Sequence, residues 1–87
     1  MNEAELLIEV KKAIGEYTNI RDDEYKTHIT TVKFFMRGAG VPESVVNSSA
    51  AVGCVARGVL DVWDLGSGTG KFSEMFKMMV NQLANPE

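Results

Sequence analysis

The sequence predicts an all-α fold, a small bundle of about four helices joined by short loops. Two observations carry this. Apolar residues recur at helical spacing in four segments, and Gly, Pro and Asn punctuate the chain between them. With 87 residues the expectation is one helical domain spanning 1–87, large enough for a single thin core. The hydrophobic share of 45% suits a globular chain and exceeds that of a disordered one.

The first helix is expected from Glu3 to Ala13 or Ile14. Asn2 is its N-cap, with Glu5 placed to complete a capping box, and Gly15 stops it. Leu6, Leu7, Val10, Ala13, Ile14 and Tyr17 form its apolar stripe, and Ile8 lies off it. The second helix starts near Arg21-Asp22-Asp23, where early acids suit the positive end of the dipole. Tyr25, Ile29, Val32, Met36 and Ala39 keep helical spacing, and Gly38 and Gly40 close it. β-branched Thr27, Ile29, Thr30, Thr31 and Val32 make a strand the competing assignment. Strict alternation fails at Thr30-Thr31 and at Phe34-Phe35-Met36, so helix is preferred.

Pro42 suits the first position of a single turn reaching Val46. Asn47-Ser48-Ser49 then caps a third helix, about Ala50 to Asp64. Val52, Val55, Ala56, Val59, Leu60 and Trp63 share one face and Cys54, Arg57 and Asp61 the other. Gly53 and Gly58 disfavour a helix unless small residues are needed for close contact. A glycine loop, Leu65 to Gly70, leads to a fourth helix, about Lys71 to Ala84, with Phe72, Met75, Phe76, Met79 and Leu83 on one face.

Composition excludes several functions. No apolar run approaches the length of a membrane span, and the acidic start Met1-Asn2-Glu3-Ala4-Glu5 has no signal pattern, so the chain is expected to start life in the cytoplasm. The single Cys54 excludes an internal disulfide. With one histidine, His28, a Cys/His zinc site would need carboxylates at a spacing the chain lacks. No metal and no cofactor are expected. Net charge is −3, and the acids gather at the front: residues 1–25 hold seven acids and three bases, residues 26–87 five and six. Without a Lys/Arg cluster, DNA binding by phosphate neutralisation is not expected, whereas a surface that repels DNA is.

Asp64-Leu65-Gly66-Ser67-Gly68-Thr69-Gly70 is similar to the first motif of class I methyltransferases that use S-adenosylmethionine, with Val59-Leu60-Asp61-Val62-Trp63 as its strand. The surroundings oppose that reading. A nucleotide-binding sheet needs βαβ units and a downstream ribose acid, and the residues after Gly70 supply neither. A P-loop fails because Leu65 and Phe72 stand where Gly and Ser/Thr belong. The glycines are read as an inter-helix turn or a contact loop. His28 is read as a helix partner of Glu24, Cys54 as inert packing, Asp22-Asp23-Glu24 as a solvated helix start, and Met75, Met78 and Met79 as core filler. No catalytic constellation remains, so the chain is not expected to be an enzyme. Phe34 exceeds these readings. It falls opposite Tyr25 among Thr27, Thr30 and Arg37, so a subunit interface of Ile8, Thr30, Phe34 and Arg37 is expected, with Phe34 covered by another chain.

In order and spacing the chain resembles the small head–tail connector proteins (adaptor, or head-completion proteins) of tailed bacteriophages. The match runs from Glu5-Leu6-Leu7-Ile8-Glu9-Val10-Lys11-Lys12 through Arg21-Asp22-Asp23-Glu24-Tyr25 and Arg37-Gly38-Ala39-Gly40-Val41-Pro42-Glu43 to Phe72-Ser73-Glu74-Met75-Phe76. It departs in the last loop, glycine-rich here and Asn-Pro or Asp-rich in family members, and in lacking a long C-terminal arm. The resemblance implies a virion protein at the head–tail interface, assembled in the host cytoplasm. It implies a homo-oligomeric ring of twelve copies joining the portal to the tail or a stopper protein. DNA would pass through without specific binding, and no membrane is involved. It further implies that Trp63, Asp64, Leu65, Gly66, Ser67, Gly68, Thr69 and Gly70 contact portal or tail, and that acids among Glu3, Glu5, Glu9, Asp22, Asp23 and Glu24 face the channel. Two alternatives stand beside it: a small acidic helical interaction module (a tail-assembly chaperone or regulator) and, less favoured, a methyltransferase fragment.

Overall fold

A computed structural model of the chain describes residues 1–65 and 72–85. The fold is all-α, with five helices and no strand among these residues: α1 (Glu3–Ile14), α2 (Asp22–Gly38), α3 (Glu43–Val46), α4 (Val52–Leu65) and α5 (Glu74–Ala84). A 3-10 turn, Ser49–Ala51, leads into α4. None of these helices is long and apolar enough to cross a membrane.

The local signals act as expected at α1. Asn2 Oδ1 accepts the Glu5 amide at 2.8 Å, and Glu5 Oε1 accepts the Asn2 amide at 3.0 Å. Gly15, at φ 91°, takes the left-handed conformation that ends the helix. The chain leaves the helical path there, so Tyr17 drops off the expected stripe and is exposed, and Ala13 is exposed too. Lys11 pairs with Asp22 at 2.6 Å, tying the end of α1 to the start of α2.

The β-branched segment is helical. Each threonine hydroxyl of α2 turns back onto its own helix: Thr27 to Asp23 O, Thr30 to Lys26 O and Thr31 to Thr27 O, at 3.0–3.2 Å. Tyr25, Ile29, Val32 and Met36 are buried, whereas Ala39, the last of the expected stripe, is exposed beyond the helix end. Gly40, at φ 100°, reverses the chain, letting the Val41 amide reach Met36 O at 3.0 Å and Val41 enter the core. Pro42 is the N-cap of α3 rather than its first residue, because its own ψ of 145° is extended.

The main correction concerns α4. Cys54 and Asp61, expected on its polar face, are buried, and Leu60, expected inside, is 38% exposed. The helix packs against α1, α2 and α5 at once, so it needs apolar or small residues nearly all round. Gly58 permits the tightest of these contacts. A Cβ there would lie 2.7 Å from Val32 Cγ1 of α2 and 2.6 Å from Phe76 Cε1 of α5. Gly53, also on α4, has ordinary room.

The last helix begins later than expected. Ser73 is its N-cap, its hydroxyl accepting the Phe76 amide at 3.1 Å. The buried face of α5 is therefore Phe76 and Val80, with Met79 and Leu83 half-buried. Met75 and Met78, read as core filler, are exposed.

Candidate subunit interface

Phe34 is 78% exposed on the outer side of α2. At 100° per residue it lies about 160° round the helix from Val32, the residue that meets Gly58. Thr31, Phe34, Phe35, Gly38, Ala39 and Phe72 enclose an open groove of about 400 Å³ there. The groove rests on a ring cluster: Phe35 and Phe72 centroids are 4.6 Å apart, and Phe72 and Phe76 are stacked at 4.6 Å. Because the threonine hydroxyls are spent on helix carbonyls, the stripe offers a partner methyl groups and one aromatic ring rather than hydrogen-bond donors.

A second apolar surface lies on α4. Ile14, Gly53, Leu60, Met75 and Met79 are among the residues lining a groove of about 380 Å³ between α1 and α5, with Arg57 as its charged edge. Leu60 is about 160° and Gly53 about 140° round α4 from Gly58. The two surfaces are thus back to back across the Val32–Gly58 contact. The second was missed in the sequence. Its signal was Gly53 and Leu60, seven residues apart on one face, with a glycine that only an exposed or contacted position explains.

The expected interface residues are not brought together as one patch. Phe34 and Thr30 share the exposed side of α2. Arg37 is exposed but held by Glu43 through two hydrogen bonds of 2.6 and 2.9 Å. This pairing holds the Glu43 carboxyl below its ordinary value. Ile8 is 53% exposed on α1 and borders neither groove.

Of the expected contact segment, Trp63 is helical and half-buried at the end of α4. Its ring meets Tyr25 at 4.9 Å and His28 edge-on at 4.5 Å, and the Arg21 guanidinium lies 5.9 Å over it. His28 therefore packs on Trp63 rather than pairing with Glu24, because it leaves α2 on the side that α4 covers. Asp64 and Leu65 complete α4; their side chains, and Gly66, Ser67, Gly68, Thr69 and Gly70, lie outside the described residues. Among the expected channel acids, Asp22 is engaged by Lys11, while Asp23 and Glu24 are exposed. Glu5 is spent on the capping box and Glu9 pairs with Lys12 at 3.1 Å.

Arg57 and Asp61 form a network no motif announced. Asp61 is 3% exposed. Its carboxylate accepts Arg57 Nη2 at 2.9 Å, the Ser73 amide at 2.9 Å and the Ser73 hydroxyl at 2.8 Å. Arg57 Nε is buried without a partner among the described residues. The network fixes the start of α5 on α4 and so shapes one wall of the second groove. Among the described residues no group of three His, Cys, Asp or Glu side chains is placed to hold a metal ion. Compared with protein-family models, with curated proteins and with solved structures, the chain matches none.

Proposed function

We propose that this chain is a structural protein that assembles head-to-tail into a ring. On its resemblance to the phage connectors, we further propose that the ring joins the portal to the tail or a stopper around the DNA channel. One observation supports this most: two unlike apolar surfaces, the Phe34 stripe and the Leu60 groove, lie on opposite sides of one small fold. Head-to-tail contacts use two different patches per subunit, and they close into rings when the rotation allows. A symmetric dimer would need only one self-complementary patch. Exposed Asp23 and Glu24, repeated round a ring, would present negative charge to passing DNA. Trp63 to Gly70 remain the proposed contact with portal or tail.

Sedimentation velocity and native mass spectrometry from micromolar to millimolar protein, alone and mixed with a phage portal protein, test the reading. The expected result is concentration- or portal-dependent growth to one discrete ring mass, abolished by F34E. A monomer under every condition, or a symmetric dimer indifferent to F34E, would overturn it.

A further inference from the structure

The Leu60 groove continues along α4. Arg21, Tyr25, Arg57, Leu60 and Trp63 line an open hollow of about 390 Å³, which shares Arg57 and Leu60 with the groove. Groove and hollow are therefore one trough, running about 15 Å from Gly53 to Trp63 at 1.5 Å per residue. Its two ends differ. The Gly53 end is apolar, walled by Ile14, Met75 and Met79. The Trp63 end carries Arg21, which is exposed and makes no ion pair among the described residues. Glu16 feels the Arg21 charge, but its oxygens accept from Thr18 and Tyr25. Arg57, midway, is already matched by Asp61.

The outer stripe of α2 has the same length and the complementary charge. Asp23 falls within about 20° of Phe34 round the helix and about 16 Å from it along the axis. Both are exposed, with Thr27 and Thr30 exposed between them. Asp23, like Arg21, makes no ion pair among the described residues. The stripe thus presents an acid, then methyl groups, then a ring. The trough presents an arginine, then Leu60, then an apolar hollow. Within one subunit the two surfaces are back to back and cannot meet, whereas a second copy can bring them together.

We infer that α2 of one copy lies antiparallel in the α4 trough of the next, with Phe34 between Gly53 and Met79 and Asp23 on Arg21. The direction follows from the charges, since Asp23 is in the first turn of α2 and Arg21 lies over Trp63 near the end of α4. A Cβ on Gly53 would meet nothing nearer than the end of Met79 at 3.7 Å, so the aromatic ring has room there, and methionine adapts to aromatic neighbours. Asp23 then belongs to the joint, and Glu24, about 100° round α2, is left for the channel surface. The contact presupposes head-to-tail assembly and adds its direction and register.

The experiment compares wild type, D23R, R21E, the double variant R21E/D23R and E24R by sedimentation velocity at low salt. It uses the condition in which wild type assembles, alone or with a phage portal protein, and circular dichroism checks folding. D23R and R21E each set like charges against each other across the joint, so each should weaken assembly several-fold. The double variant keeps the wild-type net charge and restores an opposite pair, so it should regain wild-type assembly. E24R changes net charge as much as D23R but stands off the stripe, and should assemble as wild type does. Assembly that F34E abolishes but D23R and R21E leave intact would overturn the pairing and spare head-to-tail joining. Failure of the double variant to recover, or an E24R defect equal to that of D23R, would overturn it likewise. A one-to-one complex with the portal that D23R leaves intact would give the trough to another occupant. Wild type that assembles under no condition would remove both the joint and the ring.

Discussion

Val32 of α2 sits directly over Gly58 of α4, so close that a methyl group on Gly58 would lie 2.7 and 2.9 Å from its two γ-carbons. The two helices meet there at the distance that only a hydrogen atom allows, and Phe76 closes the third side. This contact is the pivot on which the Phe34 and Leu60 surfaces face opposite ways.

Gly58→Ala therefore sets helix propensity against packing. Alanine gains about 1 kcal/mol in a helix, but forcing Val32 and Phe76 aside costs about 1–3 kcal/mol. A net loss of up to about 2 kcal/mol is expected in urea unfolding. Gly53→Ala is the control. Its nearest neighbour is the mobile end of Met79 at 3.7 Å, so the propensity gain survives and stability rises by up to about 1 kcal/mol. Equal effects at the two positions would refute the close approach.

Asp61 predicts an acid dependence. Burial raises its carboxyl, but the two Ser73 hydrogen bonds and the Arg57 guanidinium outweigh burial, and the net shift is downward from 3.8. A carboxyl lowered on folding gives stability that is complete above its unfolded value and is lost as pH falls through its folded one. Wild type should thus lose stability in that acid range more steeply than D61N. At neutral pH D61N should cost about 2–3 kcal/mol, because an amide sets an N–H against the donors of Ser73 or Arg57. Urea midpoints followed by helical circular dichroism, at neutral pH and in acid, check both statements.

These two sites mark where sequence reasoning succeeded and where it stopped. Helix ends were legible because their causes are local: Asn2 and Glu5 close a capping box within one turn, and Gly15 and Gly40 supply the positive φ that ends a helix. Phe34 was legible because an aromatic opposite a regular stripe has nowhere to go within its own helix. The surroundings of α4 were not legible. Periodicity assigns one buried side per helix, and a helix covered by three neighbours has none to single out. Asp61 then looks solvated until Ser73, twelve residues on, supplies its partner. The later start of α5 has the same cause, since Ser73 is both the N-cap and the ligand of Asp61.

Cys54 is buried in the core, and burial pushes its thiol up to about 11. Since the thiolate is the reacting species, the native chain should be alkylated by iodoacetamide far more slowly than a free cysteine at mildly alkaline pH. Urea should restore the full rate. Labelling that matches a free thiol in the folded protein would show that α4 opens locally at its first turn.

Head-to-tail joining makes a last prediction that a symmetric dimer does not share. F34E removes the stripe of α2 and keeps the groove; L60E charges the groove and keeps the stripe. Both positions are exposed in the single chain, so each variant should remain folded by circular dichroism and sediment as a monomer. Mixed together, one stripe still finds one groove, and the mixture should form a one-to-one pair that cannot grow, because both remaining surfaces carry a buried-charge penalty. An isologous contact through the Phe34 stripe behaves otherwise: L60E, whose stripe is intact, would still self-associate, and F34E would not pair with it. Sedimentation of the two variants apart and mixed distinguishes these arrangements, and self-association of L60E alone would exclude head-to-tail joining.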